Sequence, residues 1–140
     1  MALDRGMGGM SGGEALRRAV AAALADAIGA EVTAVFDAPP LRSAMPYALV
    51  EEAQLSDWST KDMAGRDGRV SVVIHDAGER PERLRGLAER AEAAIGALPS
   101  ALGEGWRIAA LTLTRSRIVR QGERHWSALI EFRVGMLRSN

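Results

Sequence analysis

Residues 45–74 read MPYALVEEAQLSDWSTKDMAGRDGRVSVVI, and the way this stretch is parsed decides the fold. Tyr47 to Leu55 reads as a strand, residues 57–68 as a connection rich in Asp, Gly and Lys, and Arg69 to His75 as a second strand with Val70, Val72 and Ile74 on one face. Two consecutive strands joined this way predict an antiparallel hairpin with an extended tip. The 57–68 connection is expected to be poorly ordered in a free monomer. It carries Trp58, a large aromatic flanked by Asp57, Ser59 and Thr60. Such a residue either folds back onto its own domain or anchors a neighbour, since aromatics are enriched at interface hot spots.

Upstream, residues 1–12 hold Gly6, Gly8, Gly9 and Gly12 without periodic pattern and are expected to form a flexible arm. Residues 13–138 are expected to form one domain. Leu16, Val20, Leu24 and Ile28, interleaved with alanines, form a helical stripe. Ser11 and Glu14 have the spacing of a capping box, and Gly29 stands where the helix should stop. Val32, Ala34 and Phe36 alternate as a short strand, which Asp37-Ala38-Pro39-Pro40 breaks because proline cannot donate to a ladder.

Downstream, Pro81 introduces a second helix with Leu84, Leu87, Ala88, Ala91, Ile95 and Leu98 on its apolar side. Trp106 to Val119 and His125 to Met136 then read as two long strands around Gln121-Gly122-Glu123. The last strand alternates cleanly, with Trp126, Ala128, Ile130, Phe132, Val134 and Met136 against His125, Ser127, Glu131 and Arg133; Leu129 is an apolar exception on the polar side. The predicted order is α-β-β-β-α-β-β. This implies an α+β domain of two layers, a mainly antiparallel sheet of about five strands with two helices on one face.

Composition narrows the function. A chain of 140 residues with 47% hydrophobic and 26% charged residues suits one globular domain. The formal net charge of zero argues against a dedicated nucleic-acid binder. The absence of cysteine excludes disulfides and thiolate chemistry. No apolar run has the length of a membrane span, and the N-terminus lacks the apolar core of a signal peptide.

The chemical motifs fail one by one. Gly9, Ser11 and Gly13 spell Gly-x-Ser-x-Gly, but no strand precedes them, as a nucleophile elbow requires. Asp57, Asp62, Asp67 and Asp76 lack calcium-loop spacing. His75 and His125 would make a metal pair only if the fold brought them together, and the sequence suggests no third ligand. No catalytic residue, cofactor site or metal site is expected. Arg115, Arg117, Arg120, Arg124, Arg133 and Arg138 concentrate positive charge in the C-terminal hairpin among Glu123 and Glu131. They form a solvated face or subunit salt bridges in preference to a DNA contact, which would call for aromatic stacking partners beyond Trp126 and for a recognition motif that is absent. The residues alone therefore favour an assembly role over an enzyme.

Pro46-Tyr47 opening a strand, Trp58-Ser59-Thr60-Lys61 at a turn, and Gly65-x-x-x-Arg69-Val70 leading into the next strand resemble, in order and spacing, the tail-completion (tail-terminator) proteins of long-tailed phages and gene transfer agents. Arg83 to Leu98 resembles that family's helix after the third strand, and Arg115 to Trp126 its Arg-rich approach to the final strand. The likeness spans about residues 14–136. It implies a virion component, assembled in the bacterial cytoplasm, that forms a homo-oligomeric ring, commonly a hexamer, at the head-proximal end of the tail tube. The ring would stop tube growth, bind tail tube protein and a head–tail connector, and let DNA pass through its lumen without specific binding. Trp58, Lys61, Arg66, Arg115, Arg117, Arg120 and Arg124 are its expected interface residues. A head-completion neck protein is the rival within the structural class. A small cytoplasmic α+β ligand-binding domain is the rival outside it, and it calls for a deep pocket with convergent polar groups.

Overall fold

A computed structural model describes residues 10–139. Most of the expected arm, residues 1–9, lies outside them. The elements run α1 (Gly12–Ile28), β1 (Val35–Phe36), β2 (Tyr47–Val50), β3 (Gln54–Asp57), β4 (Met63–Ala77), α2 (Glu82–Gly96), β5 (Ala101–Gly103), β6 (Trp106–Arg120) and β7 (His125–Ser139). One seven-stranded sheet has the order β1-β2-β4-β7-β6-β5, with β3 beside β4 further along the edge that β2 occupies. The α+β class and the two helices on one face are as expected. The sheet is mixed, because β1 runs parallel to β2 while every other pairing is antiparallel.

The helices follow their apolar spacing. Ser11 caps α1 by accepting from the Glu14 amide at 3.2 Å, which satisfies one of the donors that a helix start leaves free. Leu16, Val20, Leu24 and Ile28 of α1 and Leu84, Leu87, Ala91 and Ile95 of α2 are fully buried. Opposite them stand Val70, Val72 and Ile74 of β4 and Ala128, Ile130, Phe132, Val134 and Met136 of β7, in the same core. Each large side chain buried this way contributes roughly 1.5–3 kcal/mol.

The hairpin departs from its sequence parse in two ways. The strand expected from Tyr47 to Leu55 is broken at Glu51–Ala53 into β2 and β3. The connection expected over 57–68 shrinks to a tip of Trp58–Asp62, since Met63–Gly68 belong to β4 and pair with β7, and Arg66–Gly68 also pair with β3. The glycines that read as loop punctuation are sites of close backbone approach. A Cβ on Gly68 would stand 1.9 Å from the Gln54 carbonyl oxygen, and one on Gly65 would stand 2.6 Å from that of Trp58.

Three further differences have local causes. The strand expected over residues 32–36 keeps only Val35–Phe36. An additional strand, β5, reaches β6 through Gly103-Glu104-Gly105, all three at positive φ (102°, 56° and 82°). Within β6 the register against β7 shifts between Ile108 and Ala110 and again between Leu113 and Arg115. These two bulges turn the core-facing side from Trp106 and Ile108 to Leu111 and Leu113, then to Ser116 and Ile118.

Candidate assembly interface

The helices leave the second face of the sheet open. On β4 that face carries Asp67, Arg69, Ser71, Val73 and His75; on β7 it carries Ser127, Leu129, Glu131, Arg133 and Gly135, in register with them. Leu129, the exception in the alternation, lies beside Val73, which in turn pairs with Leu49 of β2. These three form an apolar row in which Leu49 and Val73 are buried. Below the row the face is polar: Arg133 donates to Asp67 at 2.9 Å, and Arg69 approaches Glu131 at 3.9 Å. Both pairs are solvent-accessible and contribute little stability.

The β3–β4 tip is held by its own polar groups. The Trp58 amide donates to the Gly65 carbonyl (2.9 Å) and the Thr60 amide to that of Met63 (2.8 Å). The Ser59 hydroxyl donates to Asp57 Oδ1 (2.6 Å) and accepts from the Gly65 amide (2.9 Å). The hydrogen bonds from Ser59, and then the Arg66 guanidinium at 3.1 Å, hold the Asp57 carboxyl below its ordinary pKa. The tip is thus a paired turn, where an unstructured excursion was expected.

Trp58 folds back onto its own domain, the first of its two sequence readings. Its indole lies over Gly135, where an added Cβ would come within 3.1 Å of Cζ3, so the glycine makes the seat. The residue nevertheless remains 46% exposed. Beside it runs a groove floored by Ala110 and Gly135 and bounded by Thr112, Asp67 and Arg133. Lys61 stands exposed on the same tip.

The expected arginines separate into two groups. Arg115 and Arg117 are exposed on the open side of β6 and make no ion pair among the described residues. Arg120 is tied to the β6–β7 turn, donating to the carbonyls of Gly122 (3.1 Å) and Glu123 (2.7 Å), with its guanidinium 5.1 Å from the Trp126 ring centre. Arg124 approaches Glu79 at 3.7 Å. Arg138 lies over Trp106 at 4.6 Å. Sequence reasoning passed over Gly135 as the seat of Trp58 and the exposed acidic pair Glu51–Glu52. Two acids interrupting an otherwise apolar strand were the available signal.

The loop acids do not converge. Asp57 faces Ser59 and Arg66, Asp67 faces Arg133, and buried Asp76 accepts two bonds from Arg83 (2.9 and 2.6 Å). The fold does bring the histidines together: His75 Nδ1 lies 2.9 Å from His125 Nε2, with Tyr47 stacked on His75 at 4.9 Å. Burial, and then the neighbouring His125, push the His75 pKa down. No set of three or more His, Asp or Glu side chains among the described residues is arranged to hold a metal. No described helix is long and apolar enough to cross a membrane.

No curated protein matches the sequence. Among solved structures, a chain from "Virion of native gene transfer agent (GTA) particle" is similar in fold, with a TM-score of 0.64 and 24% identity over 89% of this chain and 96% of that one. The family model described as "Tail completion protein gp17" matches residues 14–137, almost the whole described domain, and the chain therefore belongs to the tail completion protein family, structural components of phage-type virions.

Proposed function

We propose that this protein is a tail terminator: a ring of identical subunits, six in number, seated on the head-proximal end of the tail tube. There it stops tube polymerisation and presents a surface for the head connector. The observation that carries this reading is the family match over residues 14–137. The open face supports it. A domain whose sheet is covered by helices on one side leaves a broad polar surface, an exposed Trp58, and Arg115 and Arg117 without an ion pair among the described residues, free to meet neighbours. Heterologous contacts between two different patches close such subunits into a ring. Trp58 and Lys61 at the β3–β4 tip and Arg115 and Arg117 on β6 are the proposed contacts, while Arg66 braces the tip, Arg120 holds the β6–β7 turn and Arg124 approaches Glu79. The zero net charge suits a lumen through which DNA passes without being held.

Gene deletion followed by electron microscopy of the particles tests the proposal. Loss of a terminator gives tails of uncontrolled length that do not join heads. Tails of normal length with heads that leak DNA would assign the protein to head completion, and normal infectious particles would refute both roles.

A further inference from the structure

The two long edges of the sheet carry opposite charge. Strand β6 contains Arg107, Arg115, Arg117 and Arg120 and no acid. On the opposite side, the stretch from β2 through β3 (residues 47–57) contains Glu51, Glu52 and Asp57 and no base, and it is free of β1 beyond Leu49. All of these charged residues are exposed. Both edges also have unused backbone. Beyond Arg107, β6 has β7 as its one strand partner among the described residues, and β3 has β4 alone. From Ile108 to Arg115, a stretch that includes both bulges, β6 stands level with residues 51–57 across the sheet, and no strand among the described residues covers its outer side there.

We infer that the basic β6 edge of one subunit pairs with the acidic Glu51–Asp57 edge of the next copy, by strand addition. The inference rests on the ring reading above and specifies the contact that builds the ring. Strand direction supports it. The path β3-β4-β7-β6 is antiparallel at every step, so β3 and β6 run in opposite directions. A copy added by rotation about an axis roughly along the strands therefore sets β6 antiparallel to the neighbour's β3, continuing the alternation. Height along the strands agrees as well. The Glu51 amide donates to the Ser71 carbonyl, Ser71 pairs with Glu131, and Glu131 pairs with Arg115, so Glu51 and Arg115 stand at one level on opposite edges. An unstaggered contact brings Glu51 of one copy to Arg115 of the next.

Charge of one sign along an exposed edge prevents it from pairing with its own kind. Two β6 edges repel, and so do two β2–β3 edges, which excludes a two-fold dimer through either. Only unlike edges meet, and the resulting head-to-tail contact can close into a ring. Backbone hydrogen bonds hold the contact while the charges select the partner edge.

The test uses two doubly substituted full-length proteins: Arg115→Glu/Arg117→Glu, with two acidic edges, and Glu51→Arg/Glu52→Arg, with two basic edges. All four positions are exposed, and thermal melting verifies that both variants fold. Assembly is read by native mass spectrometry at high concentration and by co-sedimentation with tails from a deletion strain. Each variant alone should assemble at least tenfold more weakly than wild type. Mixed in equal amounts they should assemble again, with the two proteins alternating, because each then meets an opposite edge. Wild-type assembly in neither assay, undiminished assembly of either variant alone, or a mixture no better than its parts would overturn the contact. The two readings fail separately. If wild type forms rings that cap no tails, the terminator role fails and the contact stands; if the variants cap tails as well as wild type does, the contact fails and the terminator role stands.

Discussion

The two faces of β7 have opposite surroundings. One face, Ala128, Ile130, Phe132, Val134 and Met136, is buried under the helices. The other, Leu129, Glu131, Arg133, Gly135 and Leu137, alternates with it residue by residue and carries exposed charge, a glycine seat and part of an apolar row. The pleat of a single strand thus separates the residues that hold the fold from those available to neighbours. Changes on the first face should act on stability and changes on the second on assembly.

The hardest strain on that separation is Ile130→Asp. Ile130 is 1% exposed and lies at the centre of the core. The substitution removes its packing and buries an unpaired carboxylate, together worth more than about 4 kcal/mol against a total stability of about 5–15 kcal/mol. The variant should fail to fold, as seen in loss of a cooperative melt. Its neighbour by one residue on the opposite face, Glu131→Ala, should melt within about 0.5 kcal/mol of wild type. Similar melts for the two would show that the faces are assigned the wrong way round.

An intermediate effect belongs to Arg83. Asp76 is 4% exposed and depends on Arg83, at the start of α2, for two of its hydrogen bonds. Arg83→Ala leaves a buried carboxylate short of partners and should cost about 1–3 kcal/mol. Replacing Asp76 by Asn as well should recover part of that loss, because the neutral amide needs no counter-charge. Equal stability of wild type and Arg83→Ala in urea titrations would place the pair among the surface ion pairs of little consequence.

The contrast between faces also explains what the sequence disclosed. Periods of 3.6 and 2 expose the helical stripes and the alternation of β7 because burial imposes them directly. The break in the β2–β3 edge and the length of β4 stayed hidden, since Gly65 and Gly68 carry the same letter as a turn glycine and serve close backbone approach. The bulges of β6 were visible in principle: Trp106 and Ile108 are out of phase with Leu111 and Leu113, and these with Ile118. On the open face no burial rule operates, so residue type nominated Trp58, Arg115 and Arg117 while pairing geometry alone sorted them from Arg120 and Arg124. The seat beneath Trp58 required the fold, because Gly135 lies 77 positions away in the sequence.

Trp58 sharpens the comparison, since it lies on the open face yet touches its own domain. Trp58→Ala should lower the stability of the monomer by less than about 1 kcal/mol, as expected for a half-exposed side chain, and weaken assembly by more than about 2 kcal/mol if it is an interface hot spot. Melting and co-sedimentation with tails separate the two quantities. Gly135→Val leaves the indole in place chemically but lifts it from its seat, and should reproduce the assembly defect. If Trp58→Ala unfolds the domain, the indole belongs to the fold and not to the interface.

The smallest effect concerns the histidine pair, where the open face becomes partly enclosed. His75 is flanked by Tyr47 from β2 and by His125 and Ser127 from β7, and burial followed by the neighbouring imidazole lowers its pKa from 6.5. The unfolded chain therefore binds the proton more readily than the folded one. Stability from this source is complete above pH 6.5 and declines as the pH falls from there toward the lowered folded value. Urea midpoints measured between pH 8 and pH 5 should show this shallow loss superposed on any contribution from carboxylates. His75→Gln keeps a polar side chain that does not titrate, and should flatten the slope near pH 6. An unaltered slope in the variant would mean that His75 accepts a proton equally well folded and unfolded, and that the pair is no more than two neighbouring strand residues.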